Sequence, residues 1–148
     1  MSKIEIENNV ALIEKYLRRV DWTIRKKGRE ILSDINITDP QFIALQYLVN
    51  NKQLTIGELS QKMSLACSTI TDLIDRMEKS ELVIREKDEQ DKRVVRLTVQ
   101  PKGHEIVQQV LEKRRDYLSE KLAGLGENDK DILLKNLQYL YEAMTDET

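Results

Sequence analysis

The side chains best equipped for chemistry in this chain fall between residues 67 and 96. Ser68, Thr69, Thr71, Asp72 and Arg76 come first. At helical spacing, residues 68, 72 and 76 share one face and 69 lies beside them, opposite much of an apolar stripe of Ile70, Leu73 and Met77. Hydroxyls and a guanidinium arranged this way can bond the phosphates and base edges of a duplex groove. The same spacing also suits a plain solvated face with an Asp72–Arg76 pair at i,i+4, and on residue chemistry alone that is the simpler reading. A second cluster follows in Lys87, Asp91, Lys92, Arg93 and Arg96. A guanidinium at a hairpin tip, here Arg93, can enter a narrow minor groove where negative potential concentrates, and Lys87 and Arg96 can add phosphate contacts. An exposed loop of mixed charge is the ordinary alternative. Arg85 stands apart, as an internal partner for Asp75.

Other chemistry is thin. One Cys and one His in 148 residues exclude an intramolecular disulfide framework and a cysteine zinc cluster, and leave little for imidazole catalysis. Cys67 sits near a helix start, where a thiol can be activated toward oxidants, although a lone cysteine is more often an inert small residue. His104 reads as a surface residue. There is no G-x-S-x-G, no phosphate-cradling glycine loop and no H-E-x-x-H. No catalytic residue, metal or cofactor is therefore expected, and the chain is read as no enzyme. No apolar run approaches the roughly 20 residues of a membrane span, and the opening MSKIEIENN is no secretory signal. A cytoplasmic protein away from membranes is the expectation. The net charge is −2, with residues 52–103 at +1 from ten basic and nine acidic groups. That bias decides nothing alone.

Periodicity supplies the elements that must position these groups. Ile6, Val10, Ile13, Leu17, Val20 and Ile24 are spaced 4, 3, 4, 3, 4, and Ile31 and Ile35 rejoin them beyond Gly28. This predicts an amphipathic helix of about eight turns, too long to bury its stripe against a small domain alone. Asp39-Pro40 reads as the cap and first residue of a short helix through Phe42, Leu45 and Leu48. Thr55 and Glu58 form a capping box for the next, with Leu59 inward. A break at Ser64-Leu65 precedes the helix bearing the 68–76 face. The period then changes to two: Val83–Lys87 and Val94–Val99 predict a hairpin around DEQDKR. Pro101-Lys-Gly103 reads as punctuation before two more helices, separated by Gly124 and Gly126.

Two short helices joined tightly and followed at once by a hairpin form a winged helix-turn-helix. Leu59-Ser-Gln-Lys-Met63, Ser68-Thr-Ile-Thr-Asp-Leu-Ile-Asp-Arg-Met77, Leu82-Val-Ile-Arg85, Asp91-Lys-Arg93 and Val95-Arg-Leu-Thr98 with Gly103 resemble the MarR family of bacterial transcriptional regulators. The resemblance spans nearly the whole chain. It departs at Ser64 and Glu81, where the family often has Gly, and at Ala66, which cannot cap the helix behind it.

The expected fold is mainly α, six helices with a two-stranded wing. Residues 1–37 and 101–148 are expected to supply dimerisation helices around a DNA-binding domain at 38–100. The resemblance implies that Asp91 buttresses Arg93, and that a homodimer binds double-stranded DNA at an inverted repeat, acting as a repressor. It also implies a small aromatic or amphipathic acid effector, with Arg18, Trp22, Arg25, Phe42 and Arg114 as a cleft, although an intersubunit ion pair is the simpler role for Arg114. The alternatives are a winged-helix protein-interaction dimer without DNA binding, and a thiol-based oxidant sensor through Cys67.

Overall fold

The computed structural model describes residues 2–146. Among them the element order is α1 (Lys3–Ile35), α2 (Asp39–Asn50), α3 (Ile56–Met63), α4 (Cys67–Lys79), β1 (Val83–Lys87), β2 (Val95–Val99), α5 (Pro101–Leu122) and α6 (Glu127–Thr145). This is the expected mainly α winged helix-turn-helix. The chain divides into two units, Met1–Leu111 and Glu112–Thr148, with the boundary inside α5.

The first unit holds the core. Phe42 and Leu45 of α2, Leu59 of α3, Ile70, Ile74 and Met77 of α4, Val83 of β1, Leu97 of β2 and Val110 of α5 are all almost wholly shielded from water. α1 reaches this core only with its last turns, through Gly28, Ile31 and Leu32. The stripe from Ile6 to Ile24 stays in water, its six side chains between 37% and 60% exposed.

Local chemistry sets the element boundaries. α2 begins one residue earlier than the Asp39-Pro40 signal suggests. Thr38 is its cap: Thr38 Oγ1 accepts from Gln41 N (3.3 Å) and Gln41 Oε1 accepts from Thr38 N (3.1 Å). A polar residue three positions before a glutamine competes better for the cap than Asp39, because both orphan amides are then satisfied. The Thr55–Glu58 box forms as expected, with bonds of 3.1 and 3.3 Å. α1, α3 and α4 end alike, each followed by a left-handed residue, Asn36, Ser64 and Glu81 (φ 64°, 55° and 63°). The next amide then bonds five residues back: Ile37 N to Leu32 O, Leu65 N to Ser60 O and Leu82 N to Met77 O, at 2.9–3.0 Å.

β1 and β2 pair antiparallel with Val83 opposite Val99 and Lys87 opposite Val95. The segment before α3 joins them, since Leu97 N donates to Leu54 O (2.8 Å) and Thr55 pairs with Arg96. Pro101-Lys-Gly103 is not punctuation. It is the first turn of α5, where proline's fixed φ is tolerated. Gly103 is buried there, and a Cβ on it would lie 2.6 Å from Leu82 O and 2.8 Å from a Val99 methyl. The glycine lets the α5 backbone lie directly against the root of the hairpin.

The second unit comprises the remainder of α5 and α6, joined through Gly124 and Gly126. No residue of α6 is buried; Leu133, Leu137, Tyr141 and Met144 are exposed.

Candidate nucleic-acid interface

α4 has two unlike faces. Ile70, Ile74 and Met77 are fully buried, while Ser68, Thr69, Asp72 and Arg76 lie in water. Thr71 is half-buried and its hydroxyl donates back to Cys67 O (2.9 Å). Ala66 offers no side-chain cap and the first turn holds no carboxylate. The positive end of the α4 dipole, with its first-turn N–H groups, is therefore open to an external acceptor.

A clasp sets the pose of this helix against the hairpin. Arg85 of β1 reaches Asp75 Oδ1 (2.6 Å) and Glu78 Oε2 (2.9 Å), and its amide donates to Glu78 Oε1 (2.8 Å). The Asp75 bond was legible in the sequence. The Glu78 bonds were not, although Asp75 and Glu78 stand at i,i+3 on one helix face. The carboxylates that arginine engages on α4 are thus Asp75 and Glu78, and Asp72 stays on the outer face.

At the wing tip, Arg93 forms a two-point ion pair with Asp91, Nε–Oδ1 3.0 Å and Nη2–Oδ2 3.1 Å. Its side chain is nevertheless 91% exposed. The Arg93 bond, followed by that of the Arg93 amide, holds the Asp91 carboxyl below the usual carboxylate range. Asp88 carried no expectation and proves to organise the tip: its Oδ2 accepts from Gln90 N (3.1 Å) and Asp91 N (3.0 Å). The D-x-x-D spacing of Asp88 and Asp91 is the local signal for such a turn. Arg96 bonds the other oxygen of Asp88 and holds its carboxyl below the ordinary value. Lys87 and Lys92 are exposed.

Cys67, at the start of α4, lies 3.3 Å from Ser60 Oγ. The buried Ser60 hydroxyl donates to Gly57 O (2.8 Å), so its one proton is committed and the Cys67 thiol is the donor to it. His104 is exposed near the start of α5.

The residues expected to form an effector cleft are not brought together within the first unit. Arg18 pairs with Glu14 (3.0 Å) and Arg25 with Asp21 (2.9 Å) along α1 itself. Trp22 is 61% exposed, whereas Phe42 is 2% exposed in the core. Arg114 belongs to the second unit. An open groove of about 370 Å³ does occur where α1 turns into α2, between Arg29, Leu32, Asn36 and Thr38, and none of those first-unit residues lines it. Among the described residues no three His, Cys, Asp or Glu side chains could together hold a metal ion, and no helix is long and apolar enough to cross a membrane.

Comparison with known proteins agrees with this geometry. The model of the MarR family matches residues 37–95, the span from the end of α1 to the wing. An uncharacterized HTH-type transcriptional regulator of Bacillus subtilis (strain 168), YsmB, is 50% identical over 136 residues, covering 92% of this chain and 93% of that protein. The chain belongs to the MarR family. A MarR family protein from Bacillus stearothermophilus has a solved structure that superposes with a TM-score of 0.83 at 45% identity, covering 94% of this chain and 97% of that one. A MepR mutant of S. aureus bound to an oligodeoxyribonucleotide shares the fold alone, with a TM-score of 0.73 at 19% identity over 89% of this chain and 97% of its own. MarR proteins are DNA-binding transcriptional regulators and not enzymes, and this chain is an HTH-type regulator of that kind.

Proposed function

We propose that this MarR-family chain works as a homodimer that represses transcription by occupying an inverted-repeat operator. Each α4 enters a major groove with Ser68, Thr69, Thr71, Asp72 and Arg76 toward bases and phosphates, and each wing lays Arg93 against the neighbouring minor groove. The observation that carries the reading is the pairing of an outward polar face on α4, opened by an uncapped N-terminus, with an exposed but braced Arg93 on the wing. The oligodeoxyribonucleotide bound to the MepR mutant is consistent with this use of the fold.

The dimer rests on the terminal helices α1, α5 and α6, and the bare stripe of α1 carries the argument. Leaving side chains such as Val10, Ile13 and Val20 in water forfeits roughly 1.5–3 kcal/mol each relative to burial. A second copy is the simplest cover and gives a two-fold axis. Two reading helices related by that axis favour half-sites about one helical turn apart. Release by a small effector belongs to the same proposal, since a ligand that binds one arrangement of the dimer better than another shifts the population.

The test is operator titration at several salt concentrations, with a duplex selected from a random pool. Binding that weakens steeply with salt, by about 0.9 in log–log slope for each phosphate neutralised, supports the reading. Arg93→Ala should lower affinity and slope together. Absence of salt-dependent binding to any selected duplex would instead favour a protein-interaction dimer.

A further inference from the structure

Arg96 lies on the hairpin among cations that suit phosphate contact, yet its donors point elsewhere. Its Nε donates to Asp88 Oδ1 (2.8 Å) and its Nη1 to Gln53 O (3.0 Å), and Nη1 lies 4.0 Å from Glu58 Oε1. The side chain is one-third exposed, against 91% for Arg93 three residues earlier. Three separate pieces of the first unit meet at this guanidinium. Asp88 opens the wing turn, Gln53 sits in the α2–α3 turn with a left-handed φ of 63°, and Glu58 belongs to the first turn of α3. The Arg96 backbone pairs with Thr55, and the neighbouring Leu97 amide bonds Leu54 O, so the guanidinium is anchored at the same junction.

The chain of bonds continues outward. Asp88 Oδ1 is held by Arg96, while Oδ2 accepts the Gln90 and Asp91 amides and so closes the tip. Asp91, fixed by that turn, holds Arg93 at two points. A guanidinium with two directed bonds at a fixed angle transmits orientation in a way a point charge does not.

We propose that Arg96 is a positioning residue for DNA binding: through Asp88 and the Gln53 carbonyl it fixes the wing tip relative to α3, and so sets where Arg93 is presented, without itself neutralising a phosphate. This rests on the DNA-binding reading above, but its structural half can be tested without DNA.

Arg96→Met keeps the stem and removes the fork. In the free protein, hydrogen exchange of the Gln90, Asp91 and Arg93 amides should accelerate while amides in the α4 interior keep their protection. Operator affinity should fall by about tenfold, the loss typical of a charge-assisted hydrogen-bond pair, with the salt slope unchanged. In an Arg93→Ala background the same substitution should cost almost nothing more, because the effect travels through Arg93. Arg96→Lys should not restore affinity, and Asp88→Asn should reproduce the looser tip. A slope lowered by about 0.9 in Arg96→Met, with tip exchange unaltered, would make Arg96 a phosphate contact and overturn the proposal. Additive losses with Arg93→Ala would overturn it as well. If the unaltered protein bound no duplex, the DNA reading would fall, and exchange at the tip would still decide whether Arg96 is the brace.

Discussion

Ser64 and Glu81 stand where the family resemblance leads one to expect glycine, and both adopt the left-handed backbone that glycine would take without strain. A left-handed side-chain residue costs roughly 1–2 kcal/mol, part of which a glycine returns as lost chain entropy. Ser64→Gly and Glu81→Gly should therefore each raise unfolding stability, by up to about 1 kcal/mol, read as a higher denaturant midpoint at unchanged slope. Ala66→Ser should add about 1 kcal/mol by capping α4. Gly103→Ala should go the other way by roughly 1–3 kcal/mol, since the Leu82 carbonyl on which the new methyl would intrude is backbone and cannot swing aside. At this scale the backbone was partly legible. The departures at 64, 66 and 81 bear on where α4 starts and not on its existence: the bonds that follow the left-handed Ser64 and Glu81 are made by main-chain atoms and do not depend on the side chain, and α4 starts at Cys67 behind an uncapping Ala66.

Within the wing, two carboxylates and two arginines set how the hairpin responds to pH. Arg96 lowers Asp88 and Arg93 lowers Asp91 below the ordinary carboxylate value. A carboxylate lowered on folding contributes its stabilisation above the unfolded value, near pH 4, and loses it as pH falls through the lower folded value. The tip should thus keep its order at neutral pH and loosen only below about pH 4. The carboxyl carbon shifts of Asp88 and Asp91 should report this, and titration of both above pH 4 would contradict it. The Arg85 clasp is a second element-level device. Arg85→Met should cost about 1 kcal/mol, a modest figure because Asp75 is half in water, and should weaken protection at the join of α4 and β1. Periodicity made the helices and the hairpin legible, and the Thr55 capping box gave the start of α3. Pro101-Gly103 misled, because the same two residue types serve to stop a helix and to start one close against a strand. The Arg96–Gln53 bond spans 43 residues and follows no local spacing.

At the level of the whole molecule, the long apolar stripe was legible because its period is that of the helix, and its exposure agrees with what the stripe's length implied. The stripe's own period does not say which surface the proposed dimer would lay against it, so a sequence can announce the need and not the contact. The proposed dimer predicts a sedimenting species of twice the 17.3 kDa chain mass, with an unfolding midpoint that climbs as protein is concentrated. Ile13→Asp or Val20→Asp should shift the species toward a single chain and weaken operator binding in parallel. A monodisperse single chain at micromolar concentration would dispose of the two-fold arrangement. The nine-turn α1, with so much of one side bare, has a last consequence for gene dosage. A reader complete only in pairs would answer, at low copy number, to the square of its own abundance, so that halving its synthesis would thin the paired form about fourfold and steepen the response to a gradual change in expression.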